Sequence, residues 1–199
     1  MVGLILSLSF HEAAHAWTAN KLGDPTARML GRLTLNPLAH IDWIGTVLFP
    51  IIAMLSGFPL IGWAKPVPVS MSNLKAPRRD FAVVAVAGPI SNLILAVAGV
   101  LLLAAVLRAG MQTGELAVTF IYRFIRLNVF LAVFNMIPLP PLDGGNVLAG
   151  LVPGPVAVLI DRIRPYGFLI LYGLLLTNQL DRLWPLGLAV ESFLLRLVL

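Results

Sequence analysis

The sequence predicts an all-α polytopic membrane protein of about five to six transmembrane helices, one of them broken, with short membrane-associated β-strands. Three observations carry this. Hydrophobic residues make up 59% and charged residues 12% of the 199-residue chain, against about 25% charged in soluble domains. The charges leave long apolar intervals at 43–64, 81–107, 127–142, 144–160 and 165–180. Finally, the run Pro138-Leu139-Pro140-Pro141 followed by Gly144-Gly145 interrupts an apolar stretch with residues that stop a helix.

Taken in order, residues 1–22 are long enough to cross a core of about 30 Å if His11, Glu12 and His15 are accommodated. No basic segment precedes this run and no small-residue cleavage site follows it, so it is expected to be retained structure and not a signal peptide. Residues 31–42 (GRLTLNPLAHID) and 62–70 (GWAKPVPVS) contain short alternating, β-branched stretches that read as strands. Such strands must lie at the interface or line a cavity, since an open edge cannot face lipid, and they could receive another chain's backbone. Residues 43–64 and 81–107 read as unaided spans, and Trp17, Trp43, Trp63 and Trp184 as interfacial anchors near span ends. Residues 127–151 cross if a break near Pro138 is allowed, and Pro153-Gly154-Pro155 ends that span. The expected division is a core at 1–151, with 152–199 adding a C-terminal hairpin or helices of the same unit. Orientation is undetermined, because the 14 Lys and Arg divide evenly between the two sides if residues 42–62 cross.

Composition also excludes some chemistry. There is no cysteine, so a metal must be held by His, Asp, Glu or backbone oxygen. The net charge of +5 comes from Lys and Arg lying between apolar blocks, without the basic, aromatic-interleaved stripe of a nucleic-acid binder. The expected partner is therefore the lipid bilayer, with no nucleic acid.

His11 and His15 are four residues apart, so a helix places them on one face a turn from each other, with Glu12 beside them. This is the HExxH arrangement, in which two imidazoles bind Zn²⁺ and the carboxylate acts as general base. The alternative is a pair of packing histidines with a snorkelling glutamate, and depth argues against it. Ten residues at about 1.5 Å each put His11 near mid-membrane, where a lone carboxylate costs about 2.5–3.5 kcal/mol. A catalytic zinc needs a third protein ligand, and Asp143 is the other acidic residue flanked by long charge-free sequence. It lies after the proline break, at a depth similar to His11; its alternative role is a helix cap.

HEAAH in a first apolar helix, AGPISN (87–92) opening another and FNMIPLPPLDGG (134–145) in a broken one together resemble the site-2 protease family of intramembrane zinc metalloproteases, in its compact prokaryotic form. The resemblance implies His11, His15 and Asp143 as ligands of one Zn²⁺ and Glu12 as the residue activating water. It implies transmembrane proteins as substrates, cut in or near the bilayer, and a multi-pass location in a prokaryotic cell membrane. It also places Asn135 and Asn92 at the substrate, although each could instead cap or bond a neighbouring helix. His40, in the loop after Asn36-Pro37, reads as an interfacial histidine and not as a ligand. A competing function is a zinc-dependent membrane scaffold or chaperone that binds helices without cutting them. A metal transporter fits less well, for want of further acidic or His residues along a second helix.

Overall fold

The computed structural model describes residues 1–57, 63–109 and 114–198. It is built from helices α1 (Val2–Lys21), α2 (Thr26–Met29), α3 (Phe49–Ser56), α4 (Pro77–Arg108), α5 (Glu115–Asn135), α6 (Asp143–Leu151), α7 (Gly154–Ile163), α8 (Gly167–Leu176) and α9 (Trp184–Val198), with a π-helical segment Trp43–Leu48 leading into α3. The all-α expectation holds, but no strand occurs among the described residues. Residues 31–42 and 63–70 touch through an isolated backbone bond, Lys65 N to His40 O at 3.0 Å, not through a ladder. Pro66 and Pro68 explain this, because they delete every second amide of the alternating stretch. Residue 62 lies outside the described residues.

Among the described residues, α4 and α5 are the two helices long and apolar enough to cross a membrane. The interval 43–64 is helical only over 43–56, and 58–62 lie outside the described residues. The 127–151 span is corrected at its start: α5 begins at Glu115 and carries Arg123 and Arg126 inside it. Charge-free intervals miss this because Arg126 is neutralised, its guanidinium donating to both carboxylate oxygens of Glu191 on α9 at 2.9 Å and 3.1 Å. Glu191 is buried while the Arg126 side chain is half exposed. Arg126→Ala should therefore lower stability by about 2–3 kcal/mol, below the cost of breaking a fully buried pair. Thermal unfolding in detergent micelles checks this.

The element at the centre is α4, which packs against α1, α5, α6 and α9. Ala96, Val100 and Leu103 of α4 meet Ile125 and Val129 of α5 in a buried core that α9 covers with Val190 and Leu194. The opposite side of α4 leaves Ile94, Leu101 and Leu102 exposed, an apolar surface suited to lipid. AGPISN does not open this helix: α4 starts at Pro77, and Pro89 lies within it.

Close backbone approach brings the remaining pieces in. Ala16 and Ala19 of α1 are fully buried, and Ala82, Ala85 and Gly88 of α4 are buried as well, the pattern that lets helices approach in lipid. Gly144 and Gly145 lie inside α6 with ordinary helical geometry. They are glycines because a Cβ at 144 would strike the carbonyls of Met136 and Ile137, and one at 145 would strike Pro140. The start of α6 is thereby pressed onto the proline break, which aims its first residue, Asp143, back at α1.

Candidate metal centre

On α1, His11, Glu12 and His15 are buried. Their helix is interrupted by no proline, and the four-residue spacing sets the two imidazoles side by side, Nε2 to Nε2 at 3.0 Å. Asp143 closes the group, with Oδ2 at 3.0 Å from His11 Nε2 and Oδ1 at 3.3 Å from His15 Nε2. The ligand atoms of the three residues lie within 4.8 Å of one another.

The surrounding bonds fix the protonation of the rings. His15 Nδ1 is 2.7 Å from the carbonyl oxygen of Val84, which only accepts, so this nitrogen carries the proton and Nε2 presents a lone pair. For His11 the same conclusion travels through a relay. Asn128 donates its amide to Phe124 O at 2.9 Å, which turns its oxygen toward Asn92. Asn92 donates to that oxygen at 3.0 Å, which turns its own oxygen toward His11 Nδ1, 2.6 Å away. His11 Nδ1 must then be the donor and Nε2 the bare nitrogen. Two lone pairs and a carboxylate thus converge on one point, and Asp143 Oδ2 is buried with no hydrogen-bond partner. With both rings neutral that donor set repels itself unless a cation sits among it, and two imidazoles with one carboxylate are a ligand set of zinc.

Glu12 does not join the cluster. Its Oε2 accepts from the backbone N–H of Val67 at 2.8 Å. His11, Glu12, His15 and Asp143 all face a cavity of about 550 Å³, which Asn135 and Arg164 also line. Asn135 donates to Leu131 O of its own helix at 3.0 Å, so its oxygen is left for another partner. Asn92, for which a place at the substrate and a bond to a neighbouring helix were both open, is buried completely behind His11, a helix away. His40 is buried and bonds Thr34 O at 2.8 Å, bracing its own loop. Trp63 packs into the cavity wall, edge-on to Phe49.

Sequence reasoning missed Asn128 and, at Gly88, the imidazoles that the glycine faces. A Cβ at Gly88 would collide with the Nε2 atoms of both His11 and His15, so α4 approaches the imidazoles with bare backbone. The signal for Asn128 was present as a polar residue in an apolar helix. Asn92→Leu, similar in shape, would strand His11 Nδ1–H and Asn128 Oδ1; zinc affinity should fall about 10- to 100-fold, as for other lost partners of metal-binding histidines. Chelator competition measures it.

The family model for peptidase family M50 matches residues 1–112 and 107–175. The chain belongs to this family of site-2-type metalloproteases. A protein of Bacillus subtilis named "Putative zinc metalloprotease YwhC" is 41% identical over 99% of this chain and 89% of its own length. "Putative zinc metalloprotease Rip2" of Mycolicibacterium smegmatis is 32% identical over 92% of this chain and 68% of its own. Its namesake in Mycobacterium tuberculosis is 33% identical over 72% of this chain and 53% of its own. No solved structure matches significantly. Among M50 features expected from sequence, the two histidines and Asp143 meet in space, Glu12 stands beside them, and Asn135 reaches the same cavity.

Proposed function

We propose that this M50 protein is an intramembrane zinc endopeptidase that cuts membrane proteins in or near their transmembrane segments. The convergence of His11 Nε2, His15 Nε2 and the orphaned Asp143 Oδ2 carries this reading. These three residues would hold the Zn²⁺ at the wall of the cavity. Bound zinc supplies Lewis acidity, lowering the pKa of a coordinated water and polarising the scissile carbonyl.

The chain's own residues do the rest. The Val84 carbonyl and the Asn92–Asn128 relay keep both rings in the tautomer that offers Nε2. Glu12, outside the ligand set, takes the proton of the attacking water and returns it to the leaving amine. The Val67 N–H holds one carboxylate oxygen and leaves the other for that exchange. Asn135 Oδ1 faces the cavity as an acceptor for a substrate amide. Residues 1–151 form the catalytic unit and 152–198 pack onto it, the whole lying in a prokaryotic cell membrane with about five to six spans, of which α1 and the broken α5–α6 complete the mid-membrane site.

A continuous substrate helix spends its carbonyls on its own amides, so the target must unwind before attack. Gly or Pro one turn from the cut should thus speed cleavage, since each eases unwinding by about 1–3 kcal/mol relative to Ala. Reconstituted substrates carrying Leu, Ala, Gly or Pro at that place, at constant hydrophobicity, test this. Rates that ignore helix propensity but collapse on one side-chain swap at the cut would mean pocket recognition instead.

A further inference from the structure

The stretch from Trp63 to Ser70 has no regular structure, yet Ala64, Pro66, Val67 and Val69 form a wall of the metal cavity. Packing alone does not hold it. Three ionisable side chains from the preceding part of the chain each grip its backbone. Arg32 donates to Lys65 O at 2.6 Å, Glu12 accepts from Val67 N at 2.8 Å, and Asp24 accepts from Ser70 N at 2.7 Å.

The two outer grips are unusual. Asp24 is fully buried just beyond the end of α1, where its other oxygen accepts from Asn73 Nδ2 at 2.8 Å, from Thr26 N at 3.1 Å and from Thr26 Oγ1. Burial is the largest influence on its carboxyl and pushes the pKa up, but the bonds from Asn73, Thr26 and Ser70 outweigh it and hold it below the ordinary value. Arg32 is also buried, and its Nε has no hydrogen-bond partner, a cost accepted to bring the guanidinium to the backbone of residue 65. Between these anchors the sequence is Pro66-Val67-Pro68. Both prolines lack an N–H and bias the residue before each toward an extended backbone, so Val67 offers the lone amide donor of that tripeptide. That donor is the one bonded to Glu12.

We infer that Asp24 and Arg32 are positioning residues for peptide hydrolysis: they grip a stiff strap, residues 63–70, at Lys65 and Ser70 on either side of Val67, so that its Val67 N–H orients the Glu12 carboxylate at the metal. This rests on the reading of Glu12 as the proton acceptor. Neither residue lines the cavity, so both act through the strap. Their loss should lower turnover with little change in substrate affinity, because the strap would still wall the cavity but would no longer orient the base.

The chain's lack of cysteine makes the test direct. A single reporter, Val69→Cys, is labelled with a maleimide in detergent micelles, alone and combined with Asp24→Asn, Arg32→Gln or Arg32→Lys. Zinc content, kcat and KM are measured on the same substitutions without the reporter cysteine, against the wild-type protein. The expected result is zinc retained at one per chain, labelling accelerated about tenfold or more, kcat lowered about tenfold or more and KM within about threefold. Arg32→Lys should recover part of the loss that Arg32→Gln shows, since an ammonium can still donate to Lys65 O. If Asp24→Asn fails to fold, Ser70→Pro removes the same bond from the other side and is expected to behave the same way. Zinc-loaded variants that label like the reporter parent and cleave like the wild type overturn the inference. So does loss of zinc and cleavage with labelling unchanged, which would make both residues supports of α1. A wild-type protein that cuts nothing counts against the protease reading, and the labelling and zinc arms still decide whether the strap is pinned.

Discussion

Glu12→Gln is expected to keep its zinc and its fold while cleavage falls by about 10²- to 10⁴-fold, the loss typical of a removed general base. The substitution is unusually clean here. The side-chain amide oxygen of glutamine can still accept from Val67 N, so the strap bond at 2.8 Å has a replacement and only the proton-accepting capacity is lost. His11, His15 and Asp143 make no bond to Glu12, so the ligand set is untouched. Single-turnover cleavage of a reconstituted transmembrane substrate, with zinc measured on the same sample, reads both halves. Near-wild-type turnover with zinc retained would instead favour the scaffold function, in which the metal is structural and Glu12 is dispensable.

Gly88→Ala should act through the opposite half of the site, removing zinc and with it all cleavage. The added methyl would occupy the space of the two Nε2 atoms. Side chains often yield to such an intrusion, but these rings are tied at their far sides to Asn92 and to Val84 O. Moving either ring breaks its Nδ1 bond and swings its lone pair off the shared point, so the cost falls on metal affinity more than on folding. Gly99→Ala offers a contrast on the same helix: its Cβ would press on Ile125 in the hydrophobic core, 2.8 Å away. It should lower stability by about 1–3 kcal/mol, the usual cost of overpacking, with zinc retained. Elemental analysis and thermal unfolding separate the two outcomes. A Gly88→Ala protein that keeps one zinc per chain would place the ion elsewhere.

How much of this was legible in the sequence follows from how local each feature is. His11, Glu12 and His15 sit on one helix, so their spacing alone fixes their mutual geometry. Asp143 was legible for another reason: an acid in long apolar sequence needs a partner, and few partners exist. Gly88 was not, because a glycine's purpose depends on what faces it, and here that is an imidazole pair some 70 residues earlier in the chain. The Asn92–Asn128 relay was hidden likewise, as each amide reads alone as a helix contact. Residues 63–70 misled because valine alternation signals a strand, while the intervening prolines silence the amides that a strand would pair. The start of α5 misled because Arg126 inside an apolar helix looks like a boundary until Glu191, 65 residues away, is seen to neutralise it.

The central claim is that His11, His15 and Asp143, without Glu12, hold one catalytic zinc. Diffraction from the purified protein on either side of the zinc absorption edge tests it most directly. The account predicts one anomalous peak per chain with both Nε2 atoms and a carboxylate oxygen of Asp143 each at about 2.0–2.2 Å, and Glu12 beyond bonding distance. A peak away from this group, or one bonded by Glu12 in place of Asp143, would contradict it.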